Sequence, residues 1–442
     1  MIRVAYVCAD PGIPVFGCKG ASIHVQEVVR ALRGAGARVD LYAARKGGTP
    51  PPGLSDLRVT LIGELAGGSG SGAGPGLGSG RGRVSRPAPT GAIGSGSGIR
   101  IGAGNGIGNE EEDVAVARAR HALSANRALH DALVDDGPFD LVYERYSLWG
   151  LAGMAYSHGA GRCVGVLEVN APLIEEQARW RRLVLPRHAA RVARFAFGRA
   201  DRLMAVSPGV AGWLAEQGVE RERIEVQANG VDPARFDGVV ERRHARPDGA
   251  PFTIGFVGTF KPWHGLRTLI DGWARMREQG IDARLLLVGD GPERAGIERD
   301  LRERGLGNRV EWTGAVAPER IPAILARMDI AVAPYPASER FYFSPLKLYE
   351  YMAASLPVVC SRVGHLAEVV RDGVDGVLVP AGDAAALGAA LTDLANDRSG
   401  RLRMGASGRE RVLRAHTWDA VAARILGCAG GEVRAHRDEA GR

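Results

Sequence analysis

The sequence predicts an α/β protein built from two doubly wound parallel sheets that face each other across a cleft. Three observations carry that expectation. A chain of 442 residues exceeds what one hydrophobic core serves, and 45% hydrophobic residues are enough to fill two. Short apolar runs of strand length alternate with segments of helical period. The strands of the second half are each followed by a loop carrying Gly or Pro and then a helix, and right-handed crossovers turn such a succession into a doubly wound sheet.

In chain order, a first strand is read over residues 3–9, followed by a glycine loop. Val25, Val28, Val29 and Leu32 then recur at helical spacing ahead of a strand over 38–44, so the chain opens with a βαβ unit. Between 66 and 109 the pattern gives way to Gly, Ser and Pro with scattered Arg. Too few apolar side chains remain there to offset the ordering entropy, and a disordered insertion is expected. An acidic start from Glu110 to Asp113 opens a long helix. Strands over 140–143, 163–169, 202–206 and 224–227 complete the first domain, 1–240. The polar stretch 241–249 reads as a linker. A second set of strands, over 252–257, 284–288, 310–312, 330–333, 357–360 and 376–379, builds a domain over 250–410. Residues 411–442 are expected to form a terminal helix and tail that packs back on the first domain. Open sheets take ligands at the carboxyl ends of their strands, so the cleft between the two is the expected site.

Composition narrows the function. Charged residues make up 24% and aromatic residues 6%, and no apolar stretch of ~18 residues is available to span a bilayer. The apolar run from Ile2 to Ala9 meets Asp10 too soon for a secretory signal, which points to the cytoplasm. Five cysteines, Cys8, Cys18, Cys163, Cys360 and Cys428, are odd in number and scattered, which suits a reducing compartment and no zinc cage. No metal and no cofactor are expected. The net charge of +7 is modest for this length and dispersed, so nucleic acid is not indicated as a partner. Only four of the 57 basic residues are lysines, namely Lys19, Lys46, Lys261 and Lys347. Where Lys persists against that Arg background, a compact ammonium is wanted.

Three segments carry chemistry. Lys19, Gly20 and Ala21 lie between the first strand and first helix and present bare amides toward the cleft, where an anion would sit. No GxGxxG follows the strand and no phosphate-loop motif occurs, so a simple βα turn remains the alternative. Residues 341–354 read FYFSPLKLYEYMAA, with Ser344 placed as an N-cap and Pro345 as first helical residue. Lys347 falls in the first turn, and Glu350 follows on the same face about 4.5 Å further along the axis. Free amides and the Lys347 ammonium would hold a diphosphate while Glu350 accepts hydrogen bonds from a ribose diol. The alternative is a surface salt bridge between the two. Residues 256–265 read FVGTFKPWHG, where the strand ends in Gly258 and the loop brings Thr259 and two more cations, Lys261 and His264, to the next helix. A capping His264 and a solvent-facing Lys261 are the alternative there.

The content and order of KGASIHVQEVVRAL, AVSPGVAGWL, NGVDPARF, GFVGTFKPWHG, LLLVGDGP, VEWTGAV and SPLKLYEYMAASLPVV resemble glycosyltransferases of family four, retaining nucleotide-sugar-dependent enzymes of GT-B architecture. The resemblance covers nearly the whole chain apart from the insertion. It implies a first, acceptor-side Rossmann-like domain and a second that binds the nucleotide sugar. Glu350 would bind the donor ribose, Ser344, Pro345, Leu346 and Lys347 the diphosphate, and the backbone near Val316 the base. Three departures accompany it. Many relatives carry two glutamates eight positions apart, and the first position is Tyr342 here, with Glu339 nearby. The common phosphate-binding Arg and Lys fall on Thr259 and His264, leaving Lys261 as replacement. Where many relatives place a His against the donor sugar, the segment LEVNAPL offers Glu168 and Asn170.

The resemblance further implies a hydroxyl acceptor from a cell-envelope glycan, a lipid-linked saccharide or a natural product, and a UDP-sugar ahead of a GDP-sugar. Charge on the leaving diphosphate would be stabilised without metal by the helix N-terminus, Lys347 and Lys261. No DxD motif is present. Between Gln177 and Arg199, seven arginines interleave with Trp180, Leu183, Leu185, Phe195 and Phe197. That pattern suits peripheral docking on anionic lipid at the inner face of the membrane; a packed helix with a solvated basic face is the alternative. A sugar-nucleotide epimerase or glycan phosphorylase on the same frame, and a catalytically degenerate binding protein, are the competing functions.

Overall fold

The computed structural model describes residues 1–65, 106–245, 247, 250–338 and 341–430. Two parallel sheets organise them. The first contains β1 (Arg3–Cys8), β2 (Arg38–Ala43), β3 (Val59–Leu61), β4 (Leu141–Arg145), β5 (Val164–Val169), β6 (Arg202–Ala205) and β7 (Ile224–Val226), in the order β3-β2-β1-β4-β5-β6-β7. The second contains β8 (Phe252–Val257), β9 (Ala283–Val288), β10 (Val310–Gly314), β11 (Ile330–Ala333), β12 (Val358–Ser361) and β13 (Gly376–Val379), in the order β10-β9-β8-β11-β12-β13. In each sheet the winding reverses beside the first strand, between β1 and β4 and between β8 and β11. Crevices open at such points, and the loops after β1 and β8 lie there.

Apart from the edge strands β3, β7 and β10, the strands are largely buried on both faces, which is why they read as apolar runs. Val4, Tyr6 and Cys8 of β1 pack with Val25, Val28 and Leu32 of the helix Gly20–Gly34, while Ala5 and Val7 pack with Leu129 and Leu133 on the opposite face. The second sheet divides its core in the same way, with Ile254 and Phe256 on one side and Leu348, Tyr351 and Met352 on the other.

The chain crosses between the sheets twice. Going out, it passes through Asn229, Gly230 and Val231. Coming back, it follows the helix Arg398–Ala415 and returns through Thr417, whose hydroxyl caps the helix Trp418–Gly427. The crossings touch: Val231 and Thr417 form an isolated bridge, and a side chain at Gly230 would stand 2.7 Å from Trp418 N. Trp418, Val421, Ala422 and Ile425 then join the first domain's core beside Val25 and Val28.

Several expectations need correction. β3 was not anticipated, because three residues at a sheet edge show no period to read. Residues 241–244 of the expected linker instead belong to a helix, Val239–His244, anchored by Arg243 Nη1 donating to Ser355 O at 2.7 Å. The long helix begins at Gly106, inside the stretch expected to be disordered. Residues 66–105 and the tail 431–442 lie outside the described residues. Among the described residues no helix is long and apolar enough to cross a membrane.

One buried group makes the fold pH-dependent. Glu144 of β4 is 1% exposed, its Oε2 accepts the Met154 N–H at 2.9 Å, and its Oε1 has no hydrogen-bond partner among the described residues. Burial pushes its carboxyl from the ordinary 4.5 up to about 7, against the pull of the Met154 and Gly153 amides. Between those values the folded state binds the extra proton, so this contribution is complete below the unfolded value and is lost as pH rises through about 7. Glu144→Gln copies the protonated acid. It is expected to raise the melting temperature at and above about pH 7, by up to ~3 kcal/mol in stability, with the gain vanishing in acid. Thermal melts across pH check this.

Candidate functional site

Two helix N-termini from opposite domains converge in the cleft. A side chain at Gly20, which opens the helix Gly20–Gly34, would lie 3.8 Å from Leu346 Cδ1, at the start of the helix Leu346–Ala353. Neither start has a side-chain cap, so both leave amide donors and the positive end of a helix dipole facing the cleft. Lys19 is exposed at the first of them, and its carbonyl accepts the Ser22 and Ile23 N–H groups.

The expected cap at Ser344 is not formed. The helix begins at Leu346 with Pro345 as the flanking residue, and the Ser344 hydroxyl is engaged elsewhere. Ser344 Oγ accepts the Asn229 N–H at 3.3 Å and lies 3.0 Å from the Tyr349 hydroxyl, and Ser344 O accepts Asn229 Nδ2 at 2.5 Å. The interdomain crossing therefore competes successfully for the side chain that local sequence assigns to the helix. Proline contributes, since the residue before it favours an extended backbone.

Lys347 is 8% exposed, and its Nζ has no hydrogen-bond partner among the described residues. The ammonium lies 3.9 Å from the centre of the Phe256 ring and 5.5 Å from that of Tyr335. It points at Gly258, where φ is +145° and a side chain would come within 2.7 Å of Nζ. Burial draws its pKa from 10.5 down to about 7, only partly opposed by Glu350. The salt bridge between Lys347 and Glu350 is not made. Glu350 Oε1 instead stands 3.5 Å from Arg235 Nη1, while Arg235 Nη2 donates to Pro318 O at 2.9 Å. Burial pushes the Glu350 carboxyl up and Arg235 pulls it back. Sequence reasoning missed Arg235, because nothing in NGVDPARF marks its arginine as the partner of a glutamate 115 positions on; the segment packs with Phe236 and Val239 into the second domain's core.

The loop after β8 forms the neighbouring wall. Thr259 is exposed, and its carbonyl accepts the Lys261 N–H and the His264 Nδ1–H. His264 lies edge-on to Tyr335 at 5.7 Å, and burial, reinforced by the charge of Lys347, drops its pKa to about 3. His264 is therefore neutral, which corrects the expectation that it brings a second cation. Lys261 is half-buried with its ammonium 5.6 Å from the Trp263 ring centre. Val316 packs partly buried against the second domain's core.

On the facing domain, Glu168 at the end of β5 is 5% exposed. Its carboxylate takes a short contact from His24 Nε2 and a hydrogen bond from Arg145 Nη1 at 3.0 Å. Burial works against ionisation, but His24 and Arg145 outweigh it and hold the pKa near 2. Both oxygens are thus committed, an arrangement suited to fixing His24 in place. Asn170 Nδ2 approaches the same carboxylate without reaching hydrogen-bond geometry. His24 also meets the edge of Trp418 at 5.2 Å. Its signal in the sequence was a polar residue on the apolar face of the first helix.

Tyr342 reaches across the cleft. Its hydroxyl donates to Glu176 Oε2 at 3.1 Å, and its carbonyl accepts the Ser207 hydroxyl at 2.8 Å. Glu339 lies outside the described residues. Further along the same wall the rings of Trp180 and Trp263 stand 5.2 Å apart. In the helix Pro186–Arg199, Ala189, Val192, Ala193, Ala196 and Phe197 are buried while Arg187, Arg191, Arg194 and Arg199 are exposed, a packed helix with a basic outer face.

Residues 112–235 match the family described as Glycosyltransferase Family 4, and residues 251–397 match Glycosyl transferases group 1. The 2-deoxystreptamine glucosyltransferase of Streptomyces kanamyceticus is 32% identical over 227 residues, 50% of this chain and 57% of that protein. The phosphatidyl-myo-inositol mannosyltransferase of Mycobacterium leprae is 36% identical over 177 residues, 39% and 45% of the two chains. The D-inositol 3-phosphate glycosyltransferase of Nocardia farcinica is 31% identical over 293 residues, 61% of each. The chain spans about half the length of the curated relatives it matches. Among solved structures, sucrose-phosphate synthase from Thermosynechococcus elongatus superposes with a TM-score of 0.67 at 22% identity, covering 97% of this chain and 98% of that one. Anabaena HepE in complex with UDP-glucose does so with 0.65 at 16% identity, covering 97% and 99%. These glycosyltransferase neighbours share the GT-B architecture, two parallel-sheet α/β domains.

Lys347 links the site to stability. The unfolded lysine keeps its proton to about 10.5 and the folded one only to about 7, so the burial cost is complete below about pH 7 and fades toward 10.5. Lys347→Met is expected to raise stability near neutral pH by ~1–4 kcal/mol, with the difference shrinking as pH rises, in melts of protein free of ligand.

Proposed function

We propose that this chain, which carries two glycosyltransferase domains, transfers a sugar from a nucleoside diphosphate to a hydroxyl acceptor. The observation that carries the reading is the buried, unpartnered ammonium of Lys347 beside two uncapped helix N-termini. All three are positive, and a diphosphate is the anion whose charge and reach suit them. Glu350, steadied by Arg235, lies one turn deeper and accepts the ribose hydroxyls, while the loop near Val316 meets the base. The HepE complexes with UDP and UDP-glucose support a UDP-sugar ahead of a GDP-sugar.

In the proposed reaction the bond between the anomeric carbon and the β-phosphate oxygen breaks, and its electron pair stays on the phosphate. Lys347, Lys261 and the helix N-termini stabilise that charge in place of a metal. The acceptor oxygen bonds to the same face of the sugar and gives its proton to the departing phosphate, so configuration is retained without a nucleophile from the protein. Glu168, fully ionised and held by His24 and Arg145, and Asn170 beside it shape the acceptor side. Relatives named for 2-deoxystreptamine and phosphatidyl-myo-inositol support a polyhydroxylated acceptor, free or lipid-linked. Product analysis with a labelled donor separates transfer from epimerisation or phosphorolysis.

UDP- or GDP-sugars are expected to raise the melting temperature, because a ligand bound only by the native state stabilises it. Glu350→Ala is expected to weaken the effective donor about tenfold or more, the cost of losing charge-assisted hydrogen bonds. Absence of any shift with either nucleotide class would count against the assignment.

The arginine face of the helix Pro186–Arg199, with Trp180 44% and Phe195 37% exposed beside it, supports peripheral contact with anionic lipid at the inner face of the membrane. Cosedimentation with phosphatidylglycerol vesicles is expected, and is expected to fall at high salt and in an Arg187→Glu, Arg191→Glu, Arg194→Glu variant.

A further inference from the structure

A chain of hydrogen bonds runs from the protein surface to Ser344. Glu368 Oε2 lies 3.0 Å from His365 Nδ1, and His365 Nε2 lies 3.2 Å from the Tyr349 hydroxyl. That hydroxyl is 3.0 Å from Ser344 Oγ, which also accepts the Asn229 N–H. Ser344, Tyr349 and His365 are buried, whereas the Glu368 side chain is 55% exposed.

The surface end dictates the direction of every donor. An ionised Glu368 only accepts, so His365 Nδ1 carries a proton. When His365 is neutral its Nε2 is bare and takes the Tyr349 hydrogen. The Tyr349 oxygen then takes the Ser344 hydrogen, and Ser344 keeps none for a ligand. When His365 is an imidazolium the chain reverses: Nε2–H donates to Tyr349 and Tyr349 donates to Ser344. The two lone pairs of Ser344 are then filled by Tyr349 and Asn229, and its own O–H turns out of the chain.

We propose that His365 is a positioning residue for the donor: its protonation turns the Ser344 hydroxyl toward a phosphate oxygen, and diphosphate binding in turn draws a proton onto His365. This rests on the reading of the uncapped N-terminus at Leu346 as the diphosphate site. Phosphate oxygens accept and do not donate at neutral pH, so only the reversed chain offers them a hydrogen from Ser344. The other groups near His365 fit this assignment. His416 lies against Tyr349 with rings 5.1 Å apart, and burial, with the neighbouring His365 second, lowers its pKa to about 4, leaving it neutral. Arg411, on the helix that packs alongside, donates to the Val369 and Glu368 carbonyls. Among these neighbours Glu368 is the group that favours the imidazolium.

The test follows the His365 imidazole by NMR in the full chain, assigned with His365→Asn, with and without saturating UDP. UDP is expected to raise the His365 pKa by about one unit, equivalent to about tenfold tighter UDP binding once His365 is protonated. The rise should collapse in Tyr349→Phe and in Ser344→Ala. Tyr349→Phe also frees the Ser344 hydrogen at every pH, so its UDP affinity above the His365 midpoint should exceed that of the parent several-fold. A pKa rise that survives both substitutions reports only the field of the anion and overturns the proposal, as does UDP binding with no rise. Should Tyr349→Phe fail to fold, the parent titration and Ser344→Ala decide the matter alone. If neither UDP nor GDP binds, the diphosphate site itself falls and this inference falls with it.

Discussion

A lysine amine held inside the protein with no hydrogen-bond partner among the described residues is the constraint around which the cleft is arranged. Taking Lys347 out of water is costly, and the face of Phe256 at 3.9 Å returns only part of that cost through cation–π attraction. The helix that carries it adds the positive end of its own dipole, and the helix at Gly20 adds another from the opposite domain. Like charges gathered in a low-dielectric corner form the site proposed for a negative guest. The shape of the corner follows. Glycine suits 258, where φ is +145° and a side chain would press on Nζ.

The same short segment is where the domains hold one another. Ser207 grips the carbonyl of Tyr342, Glu176 its hydroxyl, and Asn229 both the hydroxyl and carbonyl of Ser344. These ties are polar and few, the character of an interdomain contact that can be remade as the cleft changes shape. They converge on Tyr342 and Ser344, just ahead of the helix Leu346–Ala353, so the contact between the domains adjoins the groups proposed to hold the donor. The two crossings meet where Val231 pairs with Thr417.

Much of this was legible from sequence. Parallel strands covered on both faces read as apolar runs, and the expected positions of twelve strands agree with the observed ones to within about two residues. Lys347 and Glu350 stood out because helical spacing puts them on one face just past a proline. The misreadings share a cause. Ser344 looked like a cap by local rules, yet Asn229, 115 positions away, claims it. His264 looked like a cation, yet burial and the Lys347 charge keep it neutral. The alternative reading of Lys347 and Glu350, a salt bridge, fails for the same reason, because Arg235 takes the glutamate.

The sequence by itself determined the alternation of strand and helix, the two-sheet architecture, and the chemical types present at each loop, since these depend on periodicity and turn chemistry within a few residues. Tertiary structure decided the partnerships: Arg235 with Glu350, His24 and Arg145 with Glu168, Glu368 through His365 and Tyr349 with Ser344. The physical reason is that the charge state of a buried group and the direction of its hydrogen bonds are set by whatever folding brings within about 4 Å. Those neighbours come from distant elements whose approach no local pattern records.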